Sequence, residues 1–152
     1  MNNIINYLEQ LKDLNKGTRQ SSIATQYYGW LISNGKSFTK VKIPQKQGQA
    51  KKCYYNSIMA SIEDNTLGYY EGYGITKQIG IPFEHGFNVK NNVVIDYTWS
   101  DGELYFGIQI PIKYVMKHMF KYEVAETLLF RYFHEHIYKK ETKNEYVGVK
   151  KV

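Results

Sequence analysis

Three side chains in the middle of the chain have the types and the order that nucleophilic catalysis requires. Cys53, the single cysteine, lies in K-K-C-Y-Y-N-S at 51–57; His85 lies in P-F-E-H-G-F-N-V at 82–89; Asp96 lies in V-V-I-D-Y-T-W at 93–99. A thiol, an imidazole and a carboxylate are the parts of an activated nucleophile. The attacking species is the thiolate, which a helix N-terminus and a nearby imidazolium both favour. Cys53 stands where a polar loop feeds a helix, just after Lys51 and Lys52, so the sequence supplies the first influence and His85 is the candidate for the second. Asp96 is the candidate to fix the tautomer of the imidazole and stabilise its charged form.

The hairpin predicted around Asn91-Asn92 bears on whether His85 and Asp96 meet. If 84–90 and 93–98 pair about that turn, residue numbers across the ladder sum to about 183, and His85 faces a residue near 98 with Asp96 two positions away on the same face. A diagonal neighbour on an antiparallel pair is within reach of these two side chains. A slip of one residue would put them on opposite faces.

A helix-opening cysteine, a histidine-bearing strand and V-x-D-x-T-W closing the next strand resemble the transglutaminase-like branch of the papain-like superfamily. Arylamine N-acetyltransferases and many small bacterial and phage proteins share that order. E-H-G-F-N-V and V-V-I-D-Y-T-W are similar to the family's H-x-W-N-V and V-x-D-P-T-W, with Phe87 in place of Trp and Tyr97 in place of Pro, and Y-F-G-I at 105–108 resembles the continuation of the family's sheet. The likeness covers about residues 51–110. It implies Cys53 as nucleophile, His85 as general base and acid, and Asp96 as the orienting carboxylate. It also implies an oxyanion donor. The backbone N–H of Cys53 is one candidate. Gln47 is another, six residues before the cysteine, the offset of the oxyanion glutamine in papain-like proteases, although Gln45 and Gln49 flank it. Asn56, one turn after Cys53, is a candidate support for the site or a plain polar helix position.

Around these residues the chain reads as an α+β fold, with the cysteine helix packed on an antiparallel sheet and helices at both ends. Ile4, Ile5, Leu8, Leu11 and Leu14 predict a helix over 2–15 with Asn2 or Asn3 as cap and Gly17 as its stop. Residues 18–33 fit a second helix or an extended segment ending at Asn34-Gly35. Phe38–Ile43 alternates as one strand, stopped by Pro44. Residues 44–52 form a loop, and a helix runs from Cys53 to about Asn65. Strands follow at Leu67–Ile75, Glu84–Lys90, Val93–Thr98 and 104–110. Residues 112–138 carry helical periodicity, with a break near Lys121-Tyr122, and the charged tail from Lys139 is expected to fray. Tyr69, Tyr70 and Tyr73 are candidates to line the cleft beside Cys53, with core packing as the competing reading.

The 152 residues suit one domain. With 15 tyrosines and a formal charge of +6, the chain has the means to attract acidic partners or nucleic acid without being diagnostic of them. One cysteine cannot close an internal disulfide, no apolar run reaches the ~20 residues of a membrane span, and the N-terminus lacks a signal-peptide pattern, so the expectation is a cytoplasmic protein with no membrane partner. His134 and His136, two apart on a helix, do not share a face, and with His118 they form no metal-ligand set. E-G-Y-G at 71–74 lacks the Lys-Ser/Thr of a phosphate loop. Neither a metal nor a cofactor is expected. The expected chemistry is thiol-dependent acyl transfer or hydrolysis of an amide or thioester, on a protein or small-molecule substrate. The rival is a binding protein with a basic, tyrosine-lined groove for a nucleotide, nucleic acid or protein.

Overall fold

The computed structural model describes residues 2–17 and 21–140 and is mixed α and β. Helix α1 (Asn3–Leu14) starts where Asn2 caps it, the side-chain oxygen accepting from the N–H groups of Ile4 and Ile5 at 2.9 and 3.2 Å. Gly17 follows at φ 92°, a left-handed conformation that costs any other residue. The ambiguous segment after it is helix α2 (Ser21–Asn34), which buries Leu31 and packs against α1.

Residues 36–42 depart from the single strand expected at 38–43. They form β1 (Lys36–Phe38), antiparallel to β6 (Gly102–Gln109), and then β2 (Val41–Lys42), parallel to β5 (Val93–Ile95). The sheet order is β1-β6-β3-β4-β5-β2, which puts β1 and β2 at opposite ends. Only Thr39 and Lys40 separate them, so Phe38 and Val41 lie within about 11 Å, three Cα steps. The two ends of the sheet must therefore approach each other. The sheet curls into a barrel, and one extended run crosses its seam, leaving β6 and joining β5. Lys40 and Lys42 carbonyls accept from the N–H groups of Val94 and Asp96 at 2.9 and 3.4 Å across that seam.

Barrel curvature gives the alternating strands two different cores. In β3 (Gly68–Thr76), Tyr69, Tyr73 and Ile75 face the helices and join Ile4, Leu8, Leu31, Val115 and Leu129. Tyr70 faces the barrel interior, stacked on Phe87 at 5.7 Å, among Phe38, Val89, Val94 and Tyr105. The three tyrosines read as candidate cleft residues are thus packed in the two cores, because period-two alternation drives each large ring into an apolar layer.

Helix α3 (Cys53–Glu63) lies on β4 (Phe83–Lys90). Asn88 of β4 donates to the Ser57 carbonyl at 2.9 Å and to Ser61 Oγ at 2.8 Å. Gly86 lies beneath Tyr54, where a Cβ would come within 2.8 Å of the ring. β4 turns into β5 through Asn91 and Asn92, both at positive φ as a type I′ turn requires. The pairs Asn88↔Ile95, Val89↔Val94 and Lys90↔Val93 keep the register read from sequence. β5 nevertheless stops at Ile95, three residues short of the expected Thr98.

Helix α4 (Ile112–Tyr122) ends at Glu123, which takes a left-handed conformation. A non-helical stretch leads to α5 (Leu129–Phe133), which continues as a π-helical turn at His134–Tyr138 and stays helical through Lys140. The rest of the tail expected from Lys139 lies outside the described residues. Among those residues no helix is long and apolar enough to cross a membrane.

Glu71, in the centre of β3, fastens this C-terminal segment to the sheet. Its carboxyl accepts from Tyr69 Oη and Thr127 Oγ1, both at 2.8 Å, and from the backbone N–H groups of Leu128 and Leu129. Burial pushes Glu71 up from its ordinary 4.5 to about 7 against the pull of those donors. A carboxyl raised in this way favours folding fully below its unfolded value and loses that contribution as pH rises through about 7. The difference corresponds to about 3 kcal/mol. In urea unfolding, Glu71→Gln should therefore gain about 3 kcal/mol relative to the unsubstituted protein between pH 4.5 and pH 8. A gap that stays constant with pH would contradict this account.

Candidate active site

Cys53 is the first residue of α3 and is half-buried. The first bond of the helix ladder runs from Asn56 N–H to the Lys52 carbonyl at 2.9 Å, so the N–H of Cys53 belongs to the opening turn that the ladder does not use. Asn56 is buried and holds the loop that delivers the cysteine. Its side-chain oxygen accepts from Gln49 N–H at 3.1 Å, and its amide donates to the Gln49 carbonyl and to Thr98 Oγ1, each at 2.8 Å. One side chain thus joins the loop before Cys53 to the loop after Asp96.

The end of β5 explains how Asp96 reaches the histidine. Oδ1 of Asp96 accepts from the N–H groups of Thr98 and Trp99, both at 2.9 Å. An aspartate that hydrogen-bonds its own downstream backbone competes with strand pairing. The strand ends, the chain turns, and Oδ2 is left to face the barrel interior. There it meets His85 Nε2 at 2.9 Å and accepts from Tyr105 Oη at 2.6 Å. His85 and Asp96 are both almost fully buried. The imidazole lies against the indole of Trp99, with ring centroids 3.6 Å apart and planes 9° from parallel.

Because β5 leaves the ladder early, β4 has no strand partner on that side at Gly86, and the Gly86 N–H donates to Cys53 Sγ at 3.5 Å. The thiol also lies close enough to the His85 ring to favour its charged form. With Nε2 committed to Asp96, Nδ1 is the ring nitrogen that does not bond the carboxylate. Burial is the largest influence on His85 and disfavours its charge, but the bond to Asp96 and the nearby Cys53 together outweigh it and hold the imidazole above its ordinary value. Burial likewise opposes ionisation of Asp96. Its bonds to His85, Tyr105 and the Trp99 N–H prevail and keep it below the usual carboxylate range. Both shifts run in the direction that favours a charged imidazole beside a charged carboxylate.

Cys53 and His85 open onto one cavity of about 450 Å³. Ile79, Phe83 and Trp99 give it an apolar wall, and Lys51 and Glu84 also line it. Gln47 lies elsewhere. Its Nε2 donates to the Trp99 carbonyl at 3.1 Å, and it borders a separate groove with Tyr55 and Tyr97. This geometry does not offer Gln47 as a donor to a group bound at the thiol. Tyr69, Tyr70 and Tyr73 do not line the cavity either. Trp99 and Tyr105 are the neighbours that sequence reasoning did not single out. Trp99 closes the V-V-I-D-Y-T-W run and so carried a signal; Tyr105 carried none beyond its place in a strand.

Comparison with protein-family models, curated proteins and solved structures finds no match.

Asp96's contribution to stability is present above about pH 4, its unfolded range, and is lost as pH falls through its depressed value. His85's is present below about pH 6.5 and is lost as pH rises through its raised value. Asp96→Asn should therefore destabilise the protein by about 3 kcal/mol between those limits, and by less at either extreme. Chemical denaturation of the two proteins across pH measures the difference, and a cost that does not vary with pH would contradict the ion-pair description.

Proposed function

We propose that this protein is a cysteine enzyme of the transglutaminase-like kind, carrying out acyl transfer or hydrolysis through a Cys53-His85-Asp96 triad on an amide or thioester. The observation that carries the reading is the division of the two imidazole nitrogens, one held by a buried carboxylate and the other left for a thiol at a helix N-terminus beside an open cavity. The histidine on β4, paired antiparallel to β3 and β5, and the helix bearing the cysteine against it support a papain-like arrangement.

In this mechanism the thiol proton resides on His85, and the sulfur attacks the carbonyl carbon to form a tetrahedral adduct. The Cys53 N–H is the donor for its oxyanion. Collapse of the adduct breaks the bond to the leaving group, which takes the proton from His85 and departs as amine or thiol. Water or an amine then gives a proton to His85, attacks the thioester, and releases the acyl group as acid or amide while the thiol is restored. Asp96 remains ionised and keeps Nε2 protonated. Trp99 holds the ring plane, and Asn56 positions both loops without touching the reacting atoms.

The test follows acetylation of Cys53 by p-nitrophenyl acetate, read by intact mass, alongside alkylation by iodoacetamide at pH 6.5. The folded thiol should react faster than the same thiol in urea in both assays. His85→Ala should slow acetylation by about 10²-fold or more. Asn56→Ala should slow it less, with recovery in Asn56→Gln absent because the longer amide cannot span the same two loops. A folded thiol no faster than the unfolded one, or insensitive to His85, would overturn the proposal.

A further inference from the structure

Far from Cys53 in sequence, helix α4 places Tyr114, Lys117, His118 and Lys121 on one face, at the i, i+3, i+4, i+7 spacing. That face looks onto α5 and its π-helical turn, which bring Arg131 and His136 opposite. Together they line a cavity of about 370 Å³ that shares no residue with the one at Cys53.

The charges in this cavity are unbalanced. Glu126 is paired with His118 Nε2 at 2.9 Å, and Glu135, which accepts from the Tyr114 hydroxyl at 3.0 Å, is the one carboxylate lining the cavity against Lys117, Lys121 and Arg131. Among the described residues no carboxylate lies within 4.0 Å of the Lys117, Lys121 or Arg131 nitrogens. Lys121 and Arg131 instead converge on Tyr122, 5.2 and 5.4 Å from its ring centroid. The nearby Arg131 and then Lys121 hold the Tyr122 phenol below its ordinary value.

Aromatic faces complete the lining. The His136 ring lies 5.3 Å from Tyr114, and His118 lies 4.6 Å from Tyr122. π-Helical turns recur at functional sites, and here the turn carries both Glu135 and His136 to the cavity.

We propose that this cavity binds a nucleoside monophosphate, with its phosphate on Lys117, Lys121 and Arg131 and its base against the tyrosine and histidine rings. A cluster of three cations facing one lining carboxylate, Glu135, suits a phosphate, and rings beside it suit a planar base. The volume lies in the range for one small ligand rather than a polymer. The basic, tyrosine-lined site anticipated for a binding protein thus has a location that does not compete with the cysteine, and the inference does not depend on the triad.

The test is calorimetric titration of the full chain with the four ribonucleoside monophosphates, with adenosine, and with inorganic phosphate. At least one nucleotide should bind saturably, more than tenfold tighter than adenosine or phosphate. Lys121→Gln and Arg131→Gln should each weaken it at least fivefold, with iodoacetamide reactivity of Cys53 unchanged as evidence of intact folding. Because both side chains are exposed, neither substitution disturbs a core. Absence of saturable binding would overturn the proposal, as would nucleotide and phosphate binding equally, or variants binding like the original. Capture of a single-stranded oligonucleotide without any mononucleotide binding would also overturn it, assigning the face to nucleic acid.

Discussion

The carboxylate of Asp96 carries a full negative charge where water does not reach, and such a charge is costly unless every lone pair is engaged. Two backbone N–H groups, a phenol and an imidazole engage it. Each of these donors fixes a different part of the molecule. The N–H groups fix the turn after β5, Tyr105 ties that turn to β6, and His85 ties it to β4. Moving any of the three would leave a buried charge short of a partner, so the site and the barrel around it are one constraint.

The same constraint explains why the cysteine helix can lie where it does. The turn at Asp96 takes β5 away from β4 and leaves the Gly86 N–H facing outward. The missing side chain at Gly86 lets Tyr54, and with it the start of α3, settle on the strand. Asn88 then fixes the helix along its length, and Asn56 joins its first turn to Thr98. A thiol on a helix and an imidazole on a strand are thereby held by elements that each have a separate reason for their position.

Much of this was legible in the residues themselves. The order Cys53, His85, Asp96 and the Asn-Asn turn gave the hairpin register, which depends on local patterning. The route by which His85 meets Asp96 was not legible as a cross-strand diagonal, because the aspartate's bonds to its own downstream backbone end the strand. Gln47 is only one oxyanion candidate by its offset from the cysteine, and a flexible amide goes to whichever carbonyl the fold brings near, here that of Trp99. The tyrosines of β3 follow alternation, and their fate depended on a barrel having two apolar layers. Glu71 carried no signal at all: a lone glutamate in a Gly-Tyr strand becomes an anchor only once 127–129 are folded over it.

The segment that crosses the seam also bears on how the protein behaves among copies of itself. A sheet with a long open margin is a template on which another chain can add a strand, and a sequence rich in tyrosine and β-branched residues would be prone to that growth. Here the two outermost strands are three and two residues long and belong to a single run. Closure of the barrel therefore restricts fibre-like stacking as well as shaping the interior, and loosening residues 36–42 would expose both margins at once.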